Sequence, residues 1–587
     1  SSDLMALLRR RPRSKAMDDP SRDSIRAQLQ RILDSAEFRG AGRMRRFLEW
    51  VVEEWLAGRG DGLKEYPIGV AVFDRPPGFD PSADPIVRVE ARRLRAKLAS
   101  YYTGPGKDDP VVIEIPKGQY TPRIGGPGSE AGNSIAVLPF EALAGEEERY
   151  FADGLTWELI HQLTRVEGLS VVAWTSAEQT RGMAGVRAAG KLNAGTVLVG
   201  SVRRAAQRLR IVAQLVDAAN GVYLWSETFN RTLDDILQIQ DEIARAIVAR
   251  LGERLGLVSA ALNVRRGYNM QAYGQYLEGR AQANERTHAA LTASIACFRR
   301  ALEIDPQFAL AHAGLAEGYV LLADYGLAPV TQVVPEAKAA ALRALEIDPA
   351  LGEAHCTLGF LLALHEWKWA EGEAHFRRAL ELNPGYSTAH HWLGADLLAN
   401  VGRFEEALEE VDIARRLNPL SGIVHEGRGH LLIVARRFEE ALEHQRWAIE
   451  QFPTFYKSHT TMGRVLFYLQ RWDEAMACLE RGRELVGDVP SILGAMAHVE
   501  GARGRRPAAQ ALLAKLTGLA REKHVAHTTL AVASIGGGDL EAALSYLERA
   551  AGEHEIGLSG LKVNPVFDVL RGQPRFQALL ARLGFPD

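Results

Sequence analysis

Arg88, Arg92, Arg93, Arg95 and Lys97 stand within ten positions of one another, and the stretch from Ile86 to Tyr102 carries a net charge of +4 because Glu90 is its only acid. Guanidinium groups neutralise phosphates and reach guanine edges with two parallel hydrogen bonds, so the chemistry they offer is nucleic-acid contact. On a helix Arg88, Arg92 and Arg95 recur at intervals of four and three and share a face, with Arg93 and Lys97 flanking on the opposite side. The charge is local: residues 18–124 hold 18 Lys+Arg against 17 Asp+Glu. A solvated basic helix on a protein-contact domain is the competing reading.

Catalytic and metal-binding frames are sought in vain. Gly190-Lys191-Leu192-Asn193-Ala194-Gly195-Thr196 places its lysine wrongly for a phosphate loop. The glycines between Gly125 and Gly132 lack the strand–helix context of a dinucleotide site. His365-Glu366 is followed by Trp369 where a zinc-protease helix needs histidine. His390 and His391 are adjacent, so on a helix they point about 100° apart. No nucleophile elbow frames any serine. Cys297, Cys356 and Cys478 are widely separated, which argues against disulfides or a zinc site and fits a reducing compartment. The expectation is a protein that is not an enzyme, with no catalytic residues, cofactor or metal.

The basic helix needs a scaffold. Arg43 to Leu56 puts Phe47, Leu48, Val51 and Leu56 on one helical face, and a second short helix can run from Tyr66 to Phe73, with Pro67 in its first turn. After a proline-rich loop, Pro85 opens the basic helix, whose Val87, Ala91, Leu94, Leu98 and Tyr101 form a buried stripe. Two short strands with a turn at Gly118 follow, up to Ile124. Helix, helix, basic helix and hairpin, with Val-Glu-Ala-Arg-Arg-Leu-Arg-Ala-Lys-Leu and Lys-Gly-Gln-Tyr, resemble the winged-helix effector domain of OmpR-type regulators over residues 43–124. The resemblance implies that the third helix enters the major groove with Arg88, Arg92 and Arg95 facing DNA, that Lys117 in the wing meets phosphate, and that the domain self-associates. With no receiver domain read before it, control by an aspartate phosphorelay on this chain is not expected.

The middle of the chain reads as α/β. Ser134 to Phe140 is a buried strand, Tyr150 to Val166 a helix, Leu169 to Trp174 a strand, and Val186 to Leu192 a short helix. Thr196 to Arg204, Leu209 to Asp217 and Val222 to Phe229 alternate as strands, with Asn220-Gly221 as a hairpin turn. An amphipathic helix closes the segment from Asp234 to Leu251. Phrases such as Ala-Val-Leu-Pro-Phe, Tyr-Phe-Ala-Asp-Gly-Leu-Thr and Val-Leu-Val-Gly-Ser-Val-Arg-Arg resemble the TolB-amino-terminal-like domain over residues 134–256. This implies a protein-binding or regulatory module, in a chain expected to lack the cyclase or kinase sometimes beside it. Asp153, Gly154 and Trp225 are its candidate contact positions; packing for Gly154 and Trp225, and helix capping for Asp153, are the plainer roles.

From Gln271 onward the chain repeats itself. Ala-Leu-Glu-Ile-Asp-Pro ends at Pro306 and again at Pro349, and related phrases end at Pro384, Pro419 and Pro453. The intervals are 43, 35, 35 and 34 residues. Gly429, Ala441, Ala448 and Pro453, with Gly463 and Ala475, stand where helix pairs cross closely or stop. A period near 34 resembles the tetratricopeptide repeat. The long first interval places an extended loop or helix around Tyr325 to Pro335. The resemblance implies about eight helix pairs over residues 271–587, capped near the end, with an open concave groove for a protein or peptide.

The fold class expected is therefore multidomain: a basic disordered arm (1–17), a winged helix with a preceding helix (18–124), a linker (125–133), a TolB-like α/β domain (134–256) and an all-α repeat solenoid. A net charge of −3 makes no whole-chain case for polyanions. No apolar run approaches the roughly 20 residues that span a bilayer, so a cytoplasmic protein without membrane partners is expected. The leading function is a DNA-binding regulator with duplex DNA and a protein or peptide as partners, acting as a homo-oligomer. The alternative is a scaffold whose winged helix makes protein contacts.

Overall fold

The computed structural model describes residues 22–57, 63–76, 78–80, 84–106, 109, 111–115, 120–125, 134–142, 145–166, 168–205, 208–218, 220–232, 236–255, 269–284 and 286–586. The arm over residues 1–17, Lys117, the turn at Gly118 and all of the 125–133 linker except Gly125 lie outside them. Contacts divide the chain into two units. One consists of residues up to Ser134 with Ala194–Thr196 and Val216–Tyr223, and the other holds the rest from Ile135 onward.

In the first unit four helices, α1 (Arg22–Asp34), α2 (Gly42–Leu56), α3 (Glu65–Phe73) and α4 (Ile86–Thr103), surround one core, and β1 (Val112–Glu114) pairs antiparallel with β2 (Arg123–Gly125). The stripe Val87, Ala91, Leu94, Leu98 and Tyr101 is buried as its spacing requires, against Phe47, Leu48, Val51 and Ile113. Phe47 meets Phe73 edge to face at 5.4 Å. Helix α3 follows extended Lys64 and stops before Asp74, whose φ of 54° ends the helical path.

The second unit opens with a mixed sheet in which β5 (Ser170–Val171), β3 (Ser134–Val137), β6, β7 and β8 lie side by side in that order, and short β4 (Glu141–Ala142) pairs parallel with β6. The long strands are β6 (Thr196–Ala205), β7 (Arg208–Asp217) and β8 (Tyr223–Thr232). Ile135, Val137 and Phe140 pack with Leu155, Leu159 and Leu163 of α5 (Gly145–Leu163) and with Ile239, Ile243 and Ile247 of α8 (Ile236–Leu255). The strand expected over Leu169 to Trp174 shortens to β5, Ser170–Val171, because a helical turn, α6, already starts at Trp174 and runs to Ala177, ahead of α7 (Gly185–Leu192).

Eight helix pairs follow among the described residues, from Met270 to Glu553. First helices that bear on the site are α9 (Met270–Asn284), α11 (Ala309–Asp324), α13 (Gly352–Phe360), α15 (Ser387–His391), α17 (Gly422–Val434) and α19 (Tyr456–Tyr468). The second helices between them are α10 (His288–Ile304), α12 (Val330–Ile347), α14 (Trp369–Leu382), α16 (Phe404–Leu417) and α18 (Phe438–Gln451). The extra residues between Pro306 and Pro349 lengthen α12, which takes Pro335 inside it. Two first helices pass into π-turns, Leu361–His365 after α13 and Trp392–Leu398 after α15.

The array is not an open trough along its whole length. Its last elements return to earlier repeats: the Trp369 indole donates to the Leu583 carbonyl at 2.9 Å, Trp369 stacks on Phe585, and Asn400 donates to Ser559 at 2.9 Å. His365 and His554 exchange ring-to-carbonyl hydrogen bonds at 3.0 and 2.6 Å, and Arg436 pairs with Asp568 at 2.8 Å. Superhelical twist carries the end of the array back over its middle, which the sequence period could not reveal.

Candidate nucleic-acid interface and repeat groove

Helix α4 presents a different set of its basic residues from the one spacing selected. Arg88, Val89, Arg92, Arg93 and Ala96 are exposed, with Val89 at 43%. Successive residues turn by about 100°, so Arg92, Ala96 and Val89 form the middle of this face, and Arg88 and Arg93 its two rims. Arg95 instead turns toward the hairpin and donates its Nε to the Ile115 carbonyl at 2.9 Å, and burial lowers its pKa. Lys97 donates to the Glu37 carbonyl at 2.5 Å beside the Phe38 ring. Arg95 and Lys97 therefore brace the helix, and the grouping of Arg88, Arg92 and Arg95 as one face is corrected: the buried stripe is wide enough to draw Arg95 to its border.

Glu65, at the start of α3, ties the face to the hairpin. One carboxylate oxygen accepts the Tyr120 hydroxyl at 3.0 Å and the other lies 3.3 Å from Arg88. Burial, then the Glu65 bond, pushes the Tyr120 hydroxyl up to about 12. Arg93 pairs at 2.8 Å with buried Glu90. An exposed surface bearing arginines around an apolar valine can meet phosphates, base edges and a thymine methyl.

Asp153 lies inside α5 rather than at its start, so it caps nothing; it holds Arg181 at 2.6 Å. Gly154 is needed for packing, because a β-carbon there would stand 2.1 Å from Leu277 of α9. Trp225 packs against the sheet core near Phe229. The sheet domain is joined to the repeats at their proline turns. Asn418 Oδ1 accepts the Thr175 and Ser176 hydroxyls at 2.9 and 2.6 Å, Ala173 donates to the Leu417 carbonyl at 2.7 Å, and His161 meets Glu353 at 2.9 Å.

Polar side chains from the first helices of successive pairs gather on one face. Lys457 lies over the Tyr325 ring at 4.1 Å; burial opposes its charge, yet Tyr325, Asp324 and Glu426 hold its pKa above the ordinary lysine value. Burial, then Lys457 and Arg286, brings His391 down to about 4. Burial, then Arg464 and Lys457, brings His430 to about 3.

One regularity in the repeats was overlooked in the sequence. A histidine stands six residues after each repeat-ending proline, and His312, His355, His390, His425 and His459 each bond through Nε2 to the carbonyl of that proline at 2.9–3.1 Å. Aligning the chain on its prolines would have found it. His390 uses its other nitrogen on Glu410 at 2.6 Å, while His391 turns to Gly427, so the pair is split as expected of neighbours on a helix. His527, Glu553 and Glu555 bring ligand-type atoms within 4.8 Å of one another. Glu555 there accepts the His527 and Thr528 backbone N–H groups at 2.6 and 3.0 Å, which is the task of a helix cap.

Repeated helix pairs joined to an α/β sheet define a helical-repeat protein with an added sheet domain. Residues 131–246 match the family model described as HilA/YgeH-like transcriptional regulator, second domain, and residues 393–454 match the tetratricopeptide repeat. A relative named "Putative adenylate cyclase 3", from Rhizobium meliloti (strain 1021), is 36% identical over 239 residues, 39% of this chain and 40% of that protein. The match thus spans less than half of that relative. Among solved structures, the human IFIT1 dimer with m7Gppp-AAAA has a TM-score of 0.38 at 17% identity, covering 53% of this chain and 77% of that one. YrrB, a TPR protein with an unusual peptide-binding site, has a TM-score of 0.24 at 21% identity, covering 32% and 93%.

The adenylate-cyclase name of that relative overturns the expectation that the chain is not an enzyme. The phosphate loop, dinucleotide fingerprint, zinc-protease helix and nucleophile elbow belong to other reactions, so their absence had no bearing on nucleotide cyclisation. Among the described residues no helix is long and apolar enough to cross a membrane.

Proposed function

We propose that the protein is a regulator that contacts duplex DNA through its amino-terminal unit and a protein or peptide through its repeats. The amino-terminal unit is read as a winged helix of OmpR type and the sheet domain as TolB-like, with boundaries at 18–124, 134–256 and 271–587. Self-association of the winged helix belongs to the same reading. The observation that carries it is the exposed face of α4, where Arg88, Arg92 and Arg93 surround Val89 while Arg95 and Lys97 hold the helix in place. The likeness of residues 131–246 to a transcriptional regulator's second domain supports it. Binding of the full chain to duplex DNA, followed against salt, tests it: affinity should fall steeply as salt rises, and joint replacement of Arg88, Arg92 and Arg93 by alanine should remove binding. Indifference to DNA at low salt gives way to the scaffold reading, which the near-neutral charge of residues 18–124 favours.

A further inference from the structure

His355 on α13 and His375 on α14 face each other with their ring nitrogens. The two Nδ1 atoms lie 2.9 Å apart, the ring centroids 5.1 Å apart and the planes 32° from parallel. Both rings are half-buried, so solvent reaches the pair. His355 Nε2 lies 3.1 Å from the Pro349 carbonyl, and a carbonyl only accepts, so that nitrogen carries the proton. A neutral imidazole has one N–H, which leaves a lone pair on His355 Nδ1, directed at the other ring. Burial lowers the pKa of both rings and keeps them neutral at pH 7. Arg378, which also acts on His355, is itself paired with Glu381 at 2.9 Å.

The pairing is peculiar to this repeat. Twenty residues after His390, His425 and His459 stand Glu410, Gln445 and Leu479, whereas the residue at that distance from His355 is His375. In the next repeat His390 meets the Glu410 carboxylate at 2.6 Å instead. A neutral ring nitrogen whose companion N–H is held by a backbone carbonyl is the usual form of a metal-ligating histidine. The spacing then selects among metals. Bonds of about 2.0–2.1 Å to two nitrogens 2.9 Å apart enclose an angle of about 90°. Neighbouring ligands of an octahedral or square-planar ion subtend that angle, whereas a tetrahedral ion needs nitrogens about 3.3 Å apart.

We propose that His355 and His375 bind a divalent transition-metal ion of octahedral or square-planar preference, Ni(II) or Cu(II), through their two Nδ1 atoms, with water completing the coordination. The inference goes beyond DNA and partner binding and rests on neither. In the metal-free pair His375 Nδ1 carries the proton and donates to His355. On binding, that proton moves to His375 Nε2, which makes no hydrogen bond among the described residues. The ion ties the first helix of this repeat to the second. The same repeat carries the sheet domain, since Glu353, two residues before His355, meets His161 at 2.9 Å. Occupancy of the pair therefore stiffens the helices on which that joint stands.

The test titrates the full chain calorimetrically with Ni(II) and, separately, Zn(II); Ni(II) is chosen because, unlike Cu(II), it does not oxidise free thiols. One equivalent of Ni(II) should bind at least tenfold tighter than the remaining histidines do, and tighter than Zn(II). His375→Gln, which keeps a donor for His355, should remove that equivalent while the metal-free melting temperature is kept. His527→Gln, which breaks the trio of His527, Glu553 and Glu555, should leave it in place. Hydrogen exchange on the parent chain reads the site without any variant: Ni(II) should slow exchange in α13 and α14. Survival of the tight equivalent in His375→Gln, its loss in His527→Gln, or tighter binding of Zn(II) overturns the inference. Weak equivalents with no tight one, or protection by Ni(II) confined to other helices, overturn it equally.

Discussion

Thr164 and Gly385 touch backbone to backbone: the Gly385 N–H donates to the Thr164 carbonyl at 3.0 Å, and a β-carbon on Gly385 would lie 2.9–3.1 Å from Thr164 atoms. The residue after a repeat-ending proline is thereby committed to holding the sheet domain. Gly385→Ala should destabilise the joint by about 1–3 kcal/mol, because neither backbone can yield without losing the bond. Hydrogen exchange should show faster opening around Ala173 and Leu417 in the variant. Unchanged exchange there, with an unchanged melting temperature, would mean that the contact carries no weight.

Arginines that look alike in the sequence should separate by experiment. Arg92→Ala should leave the melting temperature in place and reduce the slope of log affinity against log salt by about 0.9, the share of one phosphate contact. Arg95→Ala and Lys97→Ala should act first on stability, since the Ile115 and Glu37 carbonyls each lose a charged donor. A larger salt-slope change for Arg95→Ala than for Arg92→Ala would return Arg95 to the DNA face.

Much of this arrangement was legible beforehand, for physical reasons. Apolar residues at helical spacing must find a core, so the stripe from Val87 to Tyr101 and the repeat period were readable locally. Spacing alone cannot say how wide a buried stripe is, and Arg95 fell to the wrong side of it. Lys457 and Tyr325 belong to different repeats, and only superhelical packing brings the ammonium over the ring. The return of Leu583 to Trp369 spans 214 residues and leaves no local trace. Even the histidine that follows each proline was visible, but its bond to the proline carbonyl was not.

Those histidines make stability depend on pH. Burial depresses the pKa values of His312 and His355 below 6.5 and brings His425 to about 4. A histidine neutral in the folded chain but free to take a proton when unfolded contributes stability that is complete above the unfolded value and is lost as pH falls below it. For His425 the loss at pH 5 is about 2 kcal/mol. His527, raised by Glu555, opposes this trend with stability present at low pH and lost as pH rises through its folded value. The melting temperature should fall from pH 7.5 to pH 5, less steeply in His425→Gln. A flat or rising profile would show that the depressed histidines do not govern acid stability.

Gln445 shows what the repeat pattern tolerates without benefit. It is fully buried in α18, and among the described residues neither its amide oxygen nor its amide nitrogen has a hydrogen-bond partner. Its Nε2 lies where a β-carbon on Gly429 would be 1.8 Å away, so the glycine of α17 is what gives the amide room. A buried amide without partners costs about 1–3 kcal/mol, whereas an apolar side chain of similar length has no polar groups to satisfy. Gln445→Met should therefore stabilise the array by about 1–2 kcal/mol, read as a higher urea midpoint at unchanged slope. Gly429→Ala should act in the opposite direction, by pressing a methyl group onto the amide. If Gln445→Met instead lowers the midpoint, the glutamine has a partner, and the space between α17, α18 and α19 is filled differently from the arrangement described.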